Sequence, residues 1–475
     1  MTLAAPDPRR WFALAVVGAA FFMTILDVSI VNVALPSIGT HLHFSAENLQ
    51  WVVTAYALAY GGFLLLGGRA ADLLGRRRVF MSGVALFSLA SLLCGLATTD
   101  SVLIGARALQ GLGAAIISPA ALSIVSTTFS EGAERNKALG IWGALGGSGG
   151  ATGAFLGGFL TKYAGWEWIF FVNVPVGAAV FALAPRFVRE SRLERARRRY
   201  DPLGTVAITG ALALLVYTVS RAPFVGWGAL RTIVLLVASG VLALAFVAVE
   251  GRVREPLVPF RIFRVRTVTG ANVVGFLLGA TIFSSFFVLT LYVQDVLRYS
   301  ALEAGVTFFV TGVTVVLAAG TAQALVTRVG VKPILASGLA LLLGAMIWYS
   351  QIPVDGSFGP NLLPGYLMVG AGIAFAYVPV TIAALAGVEQ DEAGLASGMI
   401  NTAQQMGGAV GVALASTVFV THIGRGPVTP QLLTDGYALS FWLLAGFAAA
   451  ALLATLTLVR REELVAVPAV APTGG

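Results

Sequence analysis

Fourteen long apolar stretches, separated by short polar segments, make up the hydropathy pattern of this chain of 475 residues. A helix needs roughly 20 apolar residues to cross a bilayer. The pattern therefore predicts an all-α integral membrane protein with fourteen transmembrane helices. The stretches lie near residues 11–37, 47–67, 78–97, 101–128, 135–161, 167–187, 203–220, 229–250, 266–292, 301–327, 331–350, 361–386, 393–421 and 436–459.

The composition agrees with a membrane protein. Hydrophobic residues make up 57% of the chain and charged residues 11%, whereas about a quarter of a soluble domain is charged. The net charge of +8 does not indicate nucleic-acid binding, because the basic residues lie in short loops between the stretches. The one cysteine, Cys94, lies within a stretch, which excludes an intramolecular disulfide. The first apolar run is too long for a cleaved signal peptide.

The distribution of Lys and Arg predicts the orientation of the chain. If the N-terminus lies in the cytoplasm, the cytoplasmic loops and tails hold 24 of the 30 basic residues and the outer loops hold 5. This asymmetry is the positive-inside pattern of membrane proteins, and it predicts that both termini are cytoplasmic. The Arg-, Ala- and Gly-rich, Lys-poor usage is typical of a GC-rich bacterium. We therefore expect a multi-pass protein of a bacterial inner membrane.

A weak internal repeat divides the stretches into two sets. Three glycines of the fifth stretch recur in the thirteenth at a constant offset of 258, namely Gly140, Gly150 and Gly153 as Gly398, Gly408 and Gly411. Because the repeat is displaced by eight stretches rather than six, two six-helix units flank an inserted pair. The predicted domains are an N-terminal bundle (1–187), an inserted helix pair with basic connectors (188–265), and a C-terminal bundle with a cytoplasmic tail (266–475).

The loop after the second stretch reads GRAADLLGRRR over residues 68–78. Asp72 can pair with the following arginines across a tight turn at Gly75, and such a clamp would hold two helix ends together. A positive-inside loop that only orients the chain is the alternative. The pattern GxxxDxxGR[RK] resembles the signature loop of the major facilitator superfamily. The resemblance implies a conformational clamp formed by Gly68, Asp72, Gly75, Arg76 and Arg77.

The first stretch carries LDVSIVNVALP at residues 26–36, which resembles a signature of fourteen-helix drug:proton antiporters. Asp27 is the one acid well inside any stretch. A charged carboxylate is costly inside a membrane, so it is a candidate functional group, and we expect Asp27 to carry a proton. The alternative is a structural carboxylate that is permanently paired with Arg107 or bonded to Ser29 and Asn32.

The fourth stretch carries RALQGLGAA at residues 107–115, which resembles the proton-coupling motif RxxQGxGxA of the same antiporters. Arg107 is the one cation in the core of a stretch. At 1.5 Å per residue, Asp27 lies about 15 Å and Arg107 about 9 Å from the outer ends of their helices. In the family's fold these two helices line the central cavity. The resemblance therefore implies that the two charges pair when Asp27 is unprotonated.

The fifth stretch is rich in glycine at helical spacing, which favours a smooth face along which another helix can slide. Residues 153–158 read GAFLGG, similar to the antiporter motif GPxxGG. Ala154 occupies the position of the motif proline, which weakens the inference to antiport. The candidate glycines of this antiporter-motif helix are Gly149, Gly150, Gly153, Gly157 and Gly158.

Polar side chains inside the stretches or just beyond their ends are candidates for a substrate cavity, namely Asn32, Tyr56, Gln110, Gln294, Asn401 and Gln405. Hydrogen bonds between helices are an equal alternative for the amides. The cores of the last six stretches contain no acid, which disfavours tight recognition of dications. Monocationic or neutral lipophiles fit better.

Together the resemblances cover residues 11–460 and imply the major facilitator fold, with two six-helix bundles and two inserted helices. They imply a secondary transporter, not an enzyme, that exports small amphiphiles such as drugs, antibiotics or secondary metabolites in exchange for protons by alternating access. Proton-coupled uptake or osmolyte symport on the same fold is the alternative. We expect a monomer in the lipid bilayer, with a small-molecule substrate and protons as partners, and no nucleic acid, metal or cofactor.

An intramembrane serine hydrolase is a remote alternative. Residues 146–150 read GGSGG and match GxSxG, but that motif needs a strand-to-helix turn and a histidine partner. Ser148 falls in the middle of a predicted helix, and His41, His43 and His422 fall at the outer surface. No GxxxxGK[ST] motif is present, so the sequence gives no indication of ATP hydrolysis.

Overall fold

The computed structural model describes residues 9–129, 133–191, 202–252, 263–386, 393–424 and 427–460, which form long helices and no β-strand. In chain order the helices are α1 (Arg10–His41), α2 (Trp51–Leu74), α3 (Arg76–Gly95), α4 (Asp100–Thr128), α5 (Ala133–Tyr163), α6 (Asn173–Phe187), α7 (Pro202–Val225), α8 (Leu230–Glu250), α9 (Arg266–Leu291), α10 (Ala301–Val329), α11 (Val331–Tyr349), α12 (Leu363–Leu385), α13 (Ala393–Ile423) and α14 (Pro430–Leu458). Shorter helical segments are Ala46–Leu49, Trp168–Phe171 and the π-helical turns Tyr292–Val296 and Phe358–Leu362.

Many of these helices are long and apolar enough to cross a membrane. Within the described ranges, 11 helical segments meet this condition, among them α1, α3, α4, α8, α10, α11 and α14. The apolar parts of α2 and α7 are shorter, Trp51–Leu64 and Val206–Val219. The chain is therefore all-helical, with the helices of a multi-pass membrane protein. The figure of fourteen spans stays a prediction.

Two glycines make sharp junctions between consecutive helices. Gly75 separates α2 from α3 with φ 106°, and Gly330 separates α10 from α11 with φ 93°. Side chains other than glycine rarely adopt such positive φ values. Eight of the long helices, α3 to α10, lie between these junctions, which equals the displacement of the glycine repeat in the helix order. We name the α2–α3 junction side of the molecule the Gly75 end, and the side with the α1–α2 connection the Leu42 end.

The same packing scheme occurs twice along the chain. In the first set, α1 packs on α5 and α6, and α4 packs on α2 and α3. In the second set, α9 packs on α13 and α14, and α12 packs on α10 and α11. Each contact of the first set thus recurs eight helices later. This agrees with the displacement that the glycine repeat predicts, while the domain boundaries themselves stay a proposal.

The helices α7 and α8, which the sequence predicts to be an inserted pair, are not part of this repeated scheme. α7 lies along α8 and also contacts α2 and α13. α8 is the least buried of the candidate spans, with 17% of its most apolar segment buried. Its exposed apolar side chains, including Leu230, Val237 and Leu244, form the kind of surface that lipid covers.

The two helix sets meet through close contacts of α5 with α10 and of α2 with α13. A Cβ atom on Gly158 would lie 2.4 Å from the carbonyl oxygen of Ala301, and one on Gly305 would lie 2.4 Å from that of Ala154. Both contacts lie toward the Leu42 end of their helices. Toward the Gly75 end of α10, Leu317 is 73% exposed and a Cβ on Gly320 would meet nothing within 4 Å. The sets are therefore closed against each other at the Leu42 end.

This geometry predicts the effect of adding one methyl group at the contact. Gly158→Ala should destabilise the conformation closed at the Leu42 end by about 1–3 kcal/mol, because the added Cβ overlaps a backbone oxygen that cannot move aside. The substrate transport rate should fall severalfold at equal membrane abundance. Gly240→Ala is the matched control, since a Cβ at that position of α8 would meet nothing within 4 Å. Equal transport rates for the two variants would contradict the prediction.

Candidate functional site

Asp27 on α1 and Arg107 on α4 form an ion pair in the interior of the first helix set. The Arg107 Nη1 atom donates a hydrogen bond of 2.6 Å to Asp27 Oδ2. The exposed fractions of the two side chains are 0% for Asp27 and 1% for Arg107. A charge at such a site is very costly without a partner, so each of these charges requires the other.

Two amide side chains complete the shell of the Asp27 carboxylate. Gln110 Nε2 donates to Asp27 Oδ1 at 2.7 Å, and Asn173 Nδ2 donates to the same oxygen at 3.1 Å. Gln110 lies on α4 one turn after Arg107, and Asn173 is the first residue of α6. Hydrogen bonds to an ionised carboxylate are stronger than those between neutral groups. The shell therefore binds the carboxylate to α4 and α6 as well as to its own helix.

The guanidinium of Arg107 is held on its other sides by α2 and α4. Its Nε atom donates to the carbonyl oxygen of Val52 at 2.9 Å, and Nη1 also donates to Gln110 Oε1 at 2.7 Å. The ring of Tyr56 lies 4.4 Å from the guanidinium carbon, measured to the ring centroid. This is a cation–π contact. Arg107 therefore joins the start of α2 to the middle of α4.

A second layer from α3 supports the two amides. Ser91 Oγ accepts hydrogen bonds from Gln110 Nε2 and Asn173 Nδ2, both at 3.1 Å, and donates to the Phe170 carbonyl oxygen at 2.8 Å. Cys94 Sγ lies 3.5 Å from Gln110 Oε1. We call Asp27, Ser91, Arg107, Gln110 and Asn173 the Asp27 cluster. Its five members come from α1, α3, α4 and α6. The hydrogen bonds of the cluster therefore depend on the relative positions of these helices.

The partners of Asp27 differ in part from those that the sequence offered. Ser29 donates to the Ile25 carbonyl oxygen at 3.4 Å, and Asn32 donates to that of Val28 at 2.9 Å. Both side chains thus bond to their own helix. The alternative in which Ser29 and Asn32 hold the Asp27 carboxylate is therefore wrong for this structure. The pair with Arg107 is present.

The candidates for a substrate cavity separate into two groups. Tyr56 and Gln110 are buried with exposed fractions of 2% and 0%, and they belong to the surroundings of Asp27 rather than to an open cavity. Asn32 is also buried, at 6%. The others lie where the helix sets meet or nearby: Gln294 donates to the Val33 carbonyl oxygen at 2.8 Å, Gln405 contacts Gly61, and Asn401 is half-buried.

The predicted clamp contains an acid that the sequence motif does not include. Glu190, which follows α6, accepts a hydrogen bond of 3.1 Å from the Arg77 backbone N–H through Oε1. Its Oε2 atom lies 3.7 Å from Nε of both Arg77 and Arg78. The Arg76 N–H donates to the Ser191 carbonyl oxygen at 2.9 Å. The start of α3 is thereby bound to the segment after α6, while the side chain of Asp72 lies outside the described part.

Comparisons with known proteins identify the family of this chain. Residues 17–412 match the sequence profile of the Major Facilitator Superfamily. The chain belongs to the Major Facilitator Superfamily. It is a multi-pass transporter of this superfamily, whose members carry small molecules across the lipid bilayer.

Curated relatives of this Major Facilitator Superfamily chain are antibiotic resistance and export proteins. The puromycin resistance protein pur8 of Streptomyces alboniger is 38% identical over 460 residues, which cover 95% of this chain and 91% of that protein. The cephamycin export protein CmcT of Amycolatopsis lactamdurans is 40% identical, covering 86% and 84%. Among solved structures, the transporter PepTSo has a TM-score of 0.72 at 17% identity, covering 97% and 99%. At that identity the structural likeness shows the fold alone.

The glycine face of α5 packs directly on the part of α1 that carries Asp27. A Cβ on Gly153 would lie 2.7 Å from the Leu26 carbonyl oxygen, and one on Gly157 would lie 2.7 Å from that of Ile30. Gly149 faces Ile25, and Gly150 faces Ser29. Gly158, on another side of α5, faces α10. In this Major Facilitator Superfamily chain, α5 thus contacts both the helix of Asp27 and the second helix set.

The residues that sequence reasoning missed are Ser91, Asn173 and Glu190. Asn173 stands in a stretch, FFVNVP, whose amide is flanked by apolar residues, and an amide in such surroundings is a signal for a buried hydrogen bond. Ser91 carries no comparable signal, because serines are tolerated in membrane helices for packing alone. Glu190 looks like one of several charges in a basic loop. Its partner is fixed by the tertiary position of α6.

A clamp prediction follows for Glu190. Glu190→Gln removes the charge that faces Arg77 and Arg78, and transport should fall severalfold while membrane insertion is unchanged. The stability change should stay below about 1 kcal/mol, because the pairs are partly exposed and screened. Transport assays at matched abundance, with Glu134→Gln as a control that removes the Arg10 pair at the same end, test it. If Asp72→Asn loses transport and Glu190→Gln does not, Asp72 is the clamp acid.

Proposed function

We propose that this chain exports small amphiphilic compounds in exchange for protons by alternating access, with Asp27 as the proton-binding group. The observation that carries the proposal is the Asp27–Arg107 pair, a fully buried and fully bonded carboxylate in a chain whose relatives are antibiotic exporters. Export is favoured over uptake because these relatives are named for antibiotic resistance and export.

The proposed coupling begins with the charge of the Asp27 cluster. When Asp27 is deprotonated, its charge and that of Arg107 compensate each other and the cluster is stable in the conformation closed at the Leu42 end. When Asp27 takes up a proton, Arg107 remains as a buried cation without its anionic partner. Leaving one member of a buried pair uncompensated costs several kcal/mol, enough to shift a two-state equilibrium between conformations.

For exchange, Asp27 takes up its proton from outside while the Leu42 end is open, and releases it to the cytoplasm when that end closes and the pair with Arg107 forms again. The path from Asp27 to the contact between the helix sets runs through α5 in this proposal, because α1 lies on the glycine face of α5. α5 in turn contacts α10 of the second helix set through Gly158. A displacement of α1 along α5 therefore acts on the contact that closes the Leu42 end. Contacts between small residues allow helices to shift at low cost.

The proposed topology completes this scheme. We propose fourteen spans in a bacterial inner membrane with both termini in the cytoplasm, so that the Leu42 end faces outward. The helices α1–α6 and α9–α14 act as the two bundles, and α7–α8 stay outside the transport path. The Gly75–Arg77–Glu190 clamp steadies the conformation with the Leu42 end closed. We propose that one chain is the transporting unit and that its substrates are monocationic or neutral lipophiles.

A transport assay in proteoliposomes tests the proposed function. The purified protein is reconstituted, a pH gradient is imposed, and the movements of ethidium and of protons are recorded together with an enclosed pH dye. Exchange predicts that the two fluxes run in opposite directions and that a protonophore stops the accumulation of ethidium. Fluxes in the same direction would indicate the alternative, symport. Accumulation that persists with the protonophore would refute proton coupling altogether.

A growth assay identifies the substrates independently. An efflux-deficient bacterial host that expresses the chain should tolerate higher concentrations of a subset of lipophilic antibiotics than the same host with the Asp27→Asn variant. The profile across charged and neutral compounds then gives the substrate class. Unchanged tolerance to every compound, with the protein present in the membrane, would contradict drug export.

A further inference from the structure

A second acid lies at the Leu42 end, in a place that the proposed coupling does not use. A cavity of about 70 Å³ there is lined by the last turns of α9, by α13 and α14, and by Leu49. The carboxylate of Asp295, in the π-helical turn after α9, forms part of its wall. The remaining lining is mostly apolar. The Asp27 cluster contributes no residue to this cavity.

Asp295 forms no direct ion pair with a described residue. Its Oδ2 atom accepts one hydrogen bond of 2.9 Å from the Tyr437 hydroxyl. Arg298, three residues away, is exposed and acts on the carboxylate only at longer range. Buried and half-buried carboxylates are usually compensated by a cation, as Asp27 is by Arg107. Within the described part, the cavity of Asp295 thus has an anionic wall that no basic side chain contacts directly.

Aromatic rings face each other at the same cavity. The rings of Phe419 and Tyr437 are stacked, with centroids 4.3 Å apart and planes at 14°. Aromatic faces attract organic cations, and ligand sites combine apolar walls with a few placed polar groups. Ser416 is a further polar residue of the lining. One carboxylate beside an aromatic pair is the combination that recognises an alkylated ammonium group.

We propose that the Asp295 cavity binds the cationic group of a lipophilic monocation at the Leu42 end of the transport path. This inference rests on the proposed function for its place in the cycle, and it names the substrate class that the site takes. The Asp295 carboxylate supplies the charge, and the Phe419–Tyr437 pair supplies the aromatic wall. A neutral lipophile of the same shape gains only the apolar contacts.

The position of Leu49 assigns the step at which the site is used. Leu49 belongs to the connection between α1 and α2, whereas every other lining residue belongs to α9, α13, α14 or the turn after α9. Separation of the two helix sets at the Leu42 end therefore withdraws Leu49 and enlarges the cavity. In the closed conformation, the cavity is much smaller than the roughly 300 Å³ of a typical ligand site. It then has room for a headgroup alone, so the whole substrate occupies it on release.

The test compares two probes that share a shape and differ in charge, phenyltrimethylammonium and tert-butylbenzene. Binding to the full-length protein in lipid nanodiscs is measured by ligand-observed NMR. Asp295→Asn should weaken the binding of phenyltrimethylammonium by about tenfold, and Phe419→Leu by about threefold, while tert-butylbenzene is unaffected by the loss of charge. Asp435→Asn removes an exposed acid at the same end and should change neither affinity.

Four outcomes overturn the proposal. An unaltered protein that does not distinguish the probes contradicts it, and so does an Asp295→Asn variant that binds both probes as before. An equal loss of both probes would mean that Asp295 only maintains the shape of the cavity. If Asp295→Asn still binds the cation but no longer moves protons, Asp295 is a proton carrier instead. Proton movement is measured separately in proteoliposomes of the unaltered protein, so a failure of proton exchange is recorded separately from a failure of this site.

Discussion

Arg107→Ala should destabilise the protein by about 3–5 kcal/mol and abolish transport, because it leaves the Asp27 carboxylate buried without its cation. Gln110 and Asn173 still donate to the carboxylate, but neutral amides do not compensate a full charge. Thermal unfolding of the detergent-solubilised protein measures the loss. Arg231→Ala, which removes an exposed arginine bonded to Tyr217, is the matched control and should be close to neutral.

A double variant separates the lost pair from the lost volume. Adding Asp27→Asn to Arg107→Ala should recover part of the stability, because the unpaired charge is then absent. A double variant that is less stable than Arg107→Ala alone would show that the charge is not the cause.

Asp27→Asn should abolish substrate-driven proton movement in proteoliposomes, down to the level of empty liposomes, and still permit substrate binding. Asparagine has nearly the shape of aspartate but cannot take up a proton, so the coupling is lost while the binding surfaces persist. Exchange of labelled for unlabelled substrate across the membrane should continue, since it needs no net proton transfer. Asp435→Asn provides the control for the same chemical change at an exposed position.

The opposite result for Asp27→Asn has a clear meaning. If the variant still concentrates substrate against a gradient under a proton-motive force, Asp27 is a structural carboxylate. The coupling group would then be another acid, with Asp295 and Glu47 as the candidates. Probe binding at the Asp295 cavity would distinguish a coupling role of Asp295 from a role in substrate recognition.

The helices and the two buried charges could be predicted from the sequence for one physical reason. Charges inside apolar stretches are so costly that each is conspicuous, and the pairing of Asp27 with Arg107 follows from their opposite signs and similar depth. The helical stretches are equally plain, because each is long and apolar. These features depend on the local sequence and on the presence of a bilayer. The long apolar stretches of the sequence indicate that bilayer.

The rest of the site depends on how the helices face one another. Gln110 looked like a substrate ligand, yet the rotation of α4 directs it to Asp27 and Ser91. Asn173 reaches Asp27 because helix α6 begins there, after the separate turn Trp168–Phe171. The hydropathy pattern does not show how a helix is rotated about its own axis. It also does not show at which height the helix lies relative to neighbouring helices. Both are set by tertiary packing of small residues, which many sequences satisfy equally well.

The repeat has kept the packing but not the charge. At the offset of 258 residues, Ser285 corresponds to Asp27, and Tyr349 corresponds to Ser91. Ser285, Tyr349 and Tyr366 line a small cavity in the second helix set, and the Tyr366 hydroxyl lies 3.0 Å from Thr307 Oγ1. This counterpart of the Asp27 cluster is uncharged. Buried opposite charges thus occur in the first helix set, within the part of the chain that the structure describes.

In the proposed proton exchange, that one-sided placement would make the cluster sensitive to membrane voltage. With Asp27 deprotonated, the pair with Arg107 has no net charge, and a transmembrane potential exerts little force on it. With Asp27 protonated, the cluster carries one positive charge, which gains about 2.3 kcal/mol for every 100 mV of potential that it crosses. A potential that is negative in the cytoplasm would therefore draw the protonated form toward that side. The electrical part of the proton-motive force would then act on the return half of the cycle.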